Sequence, residues 1–348
     1  VTGIDVGYRR LELRMGPVRI PLRVRSVVVG AAALVAVLVL TVLSLGWGTY
    51  TVAPDAVIRA LLGSGDAMDT TVVVGWRLPR TLAAVSIGAL LAIAGALFQT
   101  VTRNPLASPD ILGLSNGAFT GMLVTLVLVS ASWPARAVGA LVGCLAASAV
   151  IWLLASRGGV QGFRLIVVGI GVSAMLASLN TWMLLQIELE TAMFASSWGQ
   201  GSLNGVTGDA LAGVLACVTP FAVAAFALVP ALRQIELGDD VAAASGVRPP
   251  LVRALALLVG VVLVAATTAI AGPVAFVALA APQIARRLAG SPTLSLALSA
   301  VVGSLLLLAS DLVAQHLLPV PLPVGVVTVS VGGLYLIVVI VSEIRHRV

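Results

Sequence analysis

The stretch SVVVGAAALVAVLVLTVLSL, Ser26–Leu45, decides the fold class: twenty consecutive residues without a single charge. That is the length needed to cross the hydrocarbon core of a bilayer as a helix. About 25 polar, arginine-rich residues precede it, too long an approach for an ordinary signal peptide, so it is expected to be an uncleaved first span. Working outward, comparable runs recur approximately at Thr81–Phe98, Ile111–Val129, Ala135–Ala155, Leu165–Leu185, Ala210–Val229, Leu251–Ala271, Val274–Leu288, Leu294–Leu318 and Val324–Val341. The eighth, Val274–Leu288, is short. The whole chain of 348 residues is 59% hydrophobic and only 10% charged, against about 25% charged in soluble domains. These features predict an all-α polytopic membrane protein of about ten helices. An arginine-rich tail at residues 1–25 precedes a single transmembrane domain at 26–348.

Charge placement tests the count. Ten spans put both termini and alternate connectors on one side. That side collects Arg9, Arg10, Arg14, Arg19, Arg23, Arg25, Arg103, Arg157, Arg164, Arg233, Arg248, Arg253, Arg286, Arg287, Arg345 and Arg347, sixteen of twenty arginines in a chain without lysine. Positive residues concentrate on the cytoplasmic side, so both termini are expected to be cytoplasmic. Adding or removing one span scrambles the pattern. Outside remain Arg59, Arg77, Arg80 and Arg136. The net charge of +6 is spread over helix ends and forms no aromatic-interleaved patch, which argues against nucleic acid as a partner. Cys144 and Cys217 lie inside apolar runs and read as small packing residues.

Chemistry is sparse. Two histidines, His316 and His346, stand far apart, which argues against a histidine metal site and a serine–histidine nucleophile. No catalytic residues, metal ligands or bound cofactor are expected. An ion-coupled secondary transporter, the alternative from another class, would bury carboxylates near the midplane. Asp311 is the one candidate, and a hydrogen-bonded packing role competes for it. No lysine-containing phosphate loop exists, so any nucleotide chemistry belongs to a partner. Gly88, Ala92 and Gly95 lie at helical spacing on one face and predict close helix packing. A short match between Ala92–Gly95 and Ala269–Gly272 hints at an inverted repeat.

Several motifs occur in order. The first begins Arg77-Leu78-Pro79-Arg80, passes Gly95 and Gln99, and continues Arg103-Asn104-Pro105-Leu106-Ala107-Ser108-Pro109-Asp110-Ile111-Leu112-Gly113. Then come Leu237-Gly238-Asp239-Asp240-Val241-Ala242 with Gly246-Val247, Ala271-Gly272-Pro273-Val274-Ala275-Phe276, and Leu322-Pro323-Val324-Gly325. Asn104-Pro105 cannot continue a helix, and Pro109 keeps the connector irregular. Asp239–Gly246 reads as a short helix, with Asp239 able to cap its start and Gly246 suited to its end.

Together these motifs resemble the FecCD family, BtuC-like permeases of ABC importers for iron–siderophores, haem and cobalamin. The resemblance implies a cell-membrane transport subunit, not an enzyme, working with a second permease copy or homologue and two ATPase subunits that carry ATP and magnesium. It implies an extracytoplasmic binding protein that delivers a ferric siderophore, with cobalamin or haem as alternative cargo. The connector at about 233–250 corresponds to the family's coupling element, which assigns ATPase contact to Gly238, Asp239, Asp240, Ala243 and Gly246. Arg77 and Arg80 correspond to the arginines that receive acidic residues of the binding protein. By the same resemblance the second, fifth and tenth spans line the path. Gln99, Asn180, Thr181 and Gln186 are then candidate path residues, with helix–helix hydrogen bonding as the competing role for the last three. Arg103, Asn104, Pro105, Pro109, Gly272, Pro273 and Asp311 count as structural motif residues. Where many relatives have histidine and arginine, this chain has Gln283 and Gln315, and the second change puts a third docking arginine in doubt. Pro321 replaces the glutamate of the family's Glu-Leu-Pro-Val-Gly. Ala281-Pro282-Gln283-Ile284-Ala285-Arg286-Arg287 and Val331-Gly332-Gly333-Leu334-Tyr335 resemble the ferric-enterobactin type, which points to a catecholate siderophore.

Overall fold

The computed structural model describes residues 10–15, 18–155, 162–291 and 293–347, with backbone alone at 10–22, 162 and 338–347. Arg9 and Arg157 of the sided arginines lie outside the described residues. The described residues begin with an antiparallel hairpin, β1 (Arg10–Met15) and β2 (Val18–Arg23), in whose register Leu13 pairs with Ile20. This departs from the plain arginine-rich tail expected there. Its alternation of leucine with charged residues in RLELRM is the period of a strand.

The hairpin runs directly into α1 (Val24–Gly46). Two short helices follow, α2 (Pro54–Leu61) and α3 (Ala67–Thr70), then a π-helical turn at Thr71–Arg77 that passes unbroken into α4 (Leu78–Thr102). The second span thus belongs to a helical run of 36 residues, Ala67–Thr102, longer than expected. The wide turn ends just before Pro79, whose ring does not tolerate regular α spacing upstream. Next are α5 (Leu114–Leu128), α6 (Trp133–Ala155), α7 (Gly162–Gln186), α8 (Leu189–Gly199) and α9 (Gly208–Glu236). The series closes with α10 (Asp239–Ala244), α11 (Pro249–Ala271), α12 (Val277–Ala289), α13 (Leu296–Leu312) and α14 (Val324–Arg347). A second π turn, Val313–Leu317, extends α13.

Each of the ten apolar segments coincides with a helix. Among the described residues seven are long and apolar enough to cross a membrane, while α5 is shorter. α12 is short as well, because Gly272–Phe276 stays irregular and Phe276 adopts a left-handed conformation (φ 68°) before the helix starts.

α4 is the axis of the bundle, packed against α9, α11, α12 and α13. Its apolar window is 78% buried, against 72% for α11, 61% for α13 and only 11% for α1 and α9. Small residues explain the closeness. A side chain on Gly88 would strike the Gly303 carbonyl of α13, and one on Gly95 the Ala278 carbonyl of α12, so the expected stripe on α4 serves two neighbours. Gly117 and Gly121 of α5 meet Gly139 and Gly143 of α6 in the same way. Between membrane helices such backbone approach supplies the packing that apolar burial supplies in water.

Candidate functional site

At one end of the bundle the arginine-bearing connectors gather around α10. Gly238 (φ 126°) turns the chain out of α9, a conformation that only glycine adopts without strain. Gly246 (φ 81°) takes the left-handed position after the helix, and Val247 N–H donates to the Ala242 carbonyl. Asp239 does not cap the helix. It stands inside the first turn, and Gly238 occupies the capping position without a side-chain bond. The Asp239 carboxylate goes to two arginines instead. Arg253 Nη1 lies 2.9 Å from Oδ2 and Nη2 lies 2.7 Å from Oδ1, while Arg103 Nη2 lies 2.7 Å from Oδ1. Hydrogen bonding from Arg253, outweighing partial desolvation and helped by the charges of both arginines, holds this carboxyl below its ordinary range. Ala242 is buried, whereas Leu237, Asp240, Val241 and Ala243 are exposed. Beside α10 opens a recess of about 530 Å³ lined by Arg103, Asn104, Arg233, Glu236 and Arg286.

The α4–α5 connector is folded inward. Asn104 Oδ1 accepts from Leu106 N–H (2.9 Å), making the turn that Pro105 requires. Asp110 accepts from Ser115 Oγ (2.9 Å), Ser108 Oγ (3.2 Å) and Phe276 N–H (3.3 Å). The Phe276 bond joins this connector to the Gly272-Pro273 segment. That segment is in turn stitched to the α8–α9 connector, where Ser202 N–H donates to Ala271 carbonyl (2.7 Å) and Gly325 N–H to Gly201 carbonyl (3.1 Å). Motifs far apart in sequence therefore meet in one place, which gives a packing reason for Gly272, Pro273 and Gly325.

At the opposite end lie Arg77 and Arg80. Both guanidinium groups have internal partners. Arg77 donates to the Leu45 carbonyl (2.8 Å) and the Tyr50 carbonyl, and meets no carboxylate among the described residues. Arg80 holds Asp311 in a two-pronged ion pair, Nη2 to Oδ1 at 2.7 Å and Nε to Oδ2 at 2.9 Å, and also donates to Asn204. Gln315 donates to the same carboxylate. Asp311 is 1% exposed and Arg80 18%, so this pair ties α4 to α13 inside the subunit. Both arginines and Asn204 line a cavity of about 350 Å³ with Trp47, Trp76 and His316.

The path candidates divide. Gln99 is buried, donating to the Leu279 carbonyl (3.1 Å) and accepting from Gln283 (2.6 Å). Asn180 is buried too, accepting from Thr120 Oγ1 (2.6 Å) and donating to the Asn116 carbonyl (3.2 Å). Each satisfies a neighbouring helix, where an unpaired buried amide is costly, and Gln99 with Gln283 also borders the 530 Å³ recess beside α10. Thr181 and Gln186 are on the exposed side of α7. The roles of Arg253, Asp110 and Asn204 are visible only in the fold. Asp110 sat in a quoted motif, whereas Arg253 and Asn204 carried no local signal.

The sequence model of the FecCD transport family matches residues 36–342. Over 301 residues the chain is 49% identical to the ferric enterobactin transport system permease protein FepG of Escherichia coli (strain K12), covering 86% of this chain and 91% of that relative. It is 35% identical over 321 residues to the achromobactin transport system permease protein CbrC of Dickeya dadantii (strain 3937), covering 90% and 91%. Among solved structures, a chain of a metal-chelate type ABC transporter in an inward-facing conformation aligns with a TM-score of 0.79 at 24% identity. That alignment covers 90% of this chain and 99% of the other, and it speaks to the fold.

Proposed function

This chain belongs to the FecCD transport family, and from that premise we propose that it is the permease subunit of a binding-protein-dependent ABC importer for ferric siderophores. The observation that carries the reading is the 49% identity to a ferric enterobactin permease across most of both chains. The cargo class is a ferric catecholate. The subunit pairs with a second permease, and the path runs between the two. Two cytoplasmic ATPase subunits supply the energy and hold ATP with magnesium, and an extracytoplasmic binding protein delivers the cargo. The protein spans the bacterial cell membrane several times with both termini cytoplasmic, an orientation supported by the sixteen sided arginines.

Within this reading α10 is the element that meets the ATPase, through its exposed Asp240, Val241 and Ala243. The cavity holding Arg77 marks the end where the binding protein sits. Arg77, a cation without a carboxylate partner among the described residues, suits an acidic visitor. Arg80 is already neutralised by Asp311, which assigns it first to the fold. The same pairing weighs against an ion-coupled carrier, since Asp311 is tied to a permanent cation.

The test is reconstitution of the permease pair with its ATPase in liposomes. A binding protein loaded with a ferric catecholate should stimulate ATP hydrolysis and carry radioiron inside. Cobalamin- or haem-loaded binding proteins should do neither. Iron uptake that persists without the ATPase would overturn the reading in favour of a secondary carrier.

A further inference from the structure

The carboxylate that opens α10 is committed to its own subunit although it is half-exposed. Both oxygens of Asp239 are occupied from within the subunit. Arg253 comes from the first turns of α11, and Arg103 from the residue just past α4. The Arg103 guanidinium also donates to the Ile235 carbonyl in the last turn of α9 (2.6 Å). Its backbone is held in the left-handed region (φ 50°), a conformation a non-glycine residue keeps only when its surroundings enforce it. One side chain thus joins the ends of α4 and α9 to the start of α10.

α10 has six residues, too few to persist as a helix without external support. Its support is Ala242, buried against the bundle, and Asp239. The two spans that grip Asp239 are the most buried in the subunit, 78% for α4 and 72% for α11. They are therefore the helices whose movement would most disturb the rest.

We propose that Arg103 and Arg253 are positioning residues for energy coupling: through Asp239 they latch α10 to α4 and α11, so that displacement of α10 by the ATPase is delivered to the two central spans. Docking itself falls to the outward residues of α10, and Asp239 transmits. The proposal rests on the reading of the chain as an ABC permease. The exposure of the triad suits the task. Arg103 is 47% exposed, Asp239 46% and Arg253 15%, so water and salt screen the pairs. A contact of this kind opens and reforms within a cycle. The deeper pair of Arg80 and Asp311 is the kind that stays closed.

The experiment uses the complete transporter in liposomes and compares native protein with Arg253→Gln, Arg103→Gln and Arg253→Lys. Three quantities are read: ATPase retained on purification, thermal stability of the complex, and siderophore moved per ATP hydrolysed under binding-protein stimulation. Both glutamine variants should retain ATPase in native proportion, yet move about fivefold less cargo per ATP or lower still, the range of a typical coupling free energy. Arg253→Lys, which keeps the charge and loses the two-pronged grip, should recover part of the ratio. A Val241→Glu variant on the outward face should instead lose ATPase on purification. If Arg253→Gln moves native amounts of cargo per ATP, or loses ATPase as Val241→Glu does, the latch is overturned. A native chain that retains no ATPase overturns the function, and the latch with it.

Discussion

Replacing Arg80 with methionine isolates the buried ion pair that joins α4 to α13. Asp311 is 1% exposed and receives both prongs of the guanidinium, at 2.7 and 2.9 Å. Removing one partner of a buried pair costs about 3–5 kcal/mol, because the other charge is left uncompensated. Gln315 still donates to Asp311, so the loss should fall near the lower figure, about 3 kcal/mol. The reverse change, Asp311→Leu, strands a guanidinium that is 18% exposed, opens on a cavity and keeps Asn204 as acceptor. It should cost less, about 1–2 kcal/mol. The double variant, apolar on both sides, should lie within about 1 kcal/mol of native protein. The cycle therefore predicts a favourable coupling of about 4–5 kcal/mol between the two residues. Reversible unfolding in mixed detergent micelles, followed by tryptophan fluorescence, measures each corner. The double variant then separates stability from docking. If it folds like native protein but no longer binds the binding protein, Arg80 does its work at the docking surface. If the two single variants cost the same and simply add, the reasoning from burial is refuted.

Three further outcomes follow from the packing. Gly121→Leu in α5 has no room against Gly139 and Gly143 of α6 and should lower stability by about 1–3 kcal/mol or more. Gly213→Leu, with open space around it, should stay within about 0.5 kcal/mol of native protein in the same unfolding assay. Asn180→Leu removes two hydrogen bonds between α7 and α5, from Thr120 Oγ1 and to the Asn116 carbonyl, and should cost about 1–3 kcal/mol. Thr181→Ala, one residue on but exposed, should be nearly silent in stability, and equal losses would contradict the difference in their burial. The third outcome concerns pH. The Asp239 carboxyl is held below its ordinary value of 3.8, so the unfolded chain takes up its proton first as pH falls. Its contribution is therefore complete above the ordinary carboxylate range and disappears as pH drops through the lowered folded value. The stability difference between native protein and Asp239→Asn should be constant near neutrality and vanish on strong acidification. A difference that does not change with pH would show that the ion pairs are not its source.

What the sequence by itself determined is the class of the protein and the path of its chain through the bundle. Apolar length is a local property, so all ten segments coincide with helices, and the motif residues point to the family that matches residues 36–342. The glycine stripe on α4 was legible for the same reason, since helical spacing places Gly88 and Gly95 together whatever surrounds them. The hairpin at Arg10–Met15 and Val18–Arg23 was not expected, because six residues of alternation between arginines are a weaker signal than the charge that surrounds them. Only the tertiary structure decided what the polar residues do. A carboxylate or an amide takes its role from its partner, and those partners lie far along the chain: Asp311 for Arg80, Gln283 for Gln99, Asp239 for Arg103. Spacing along one helix cannot reveal them. In a dry interior an unpaired polar group is costly, so the fold gave most buried ones neighbours. The few polar side chains left facing outward at the two ends are the ones free to meet a partner.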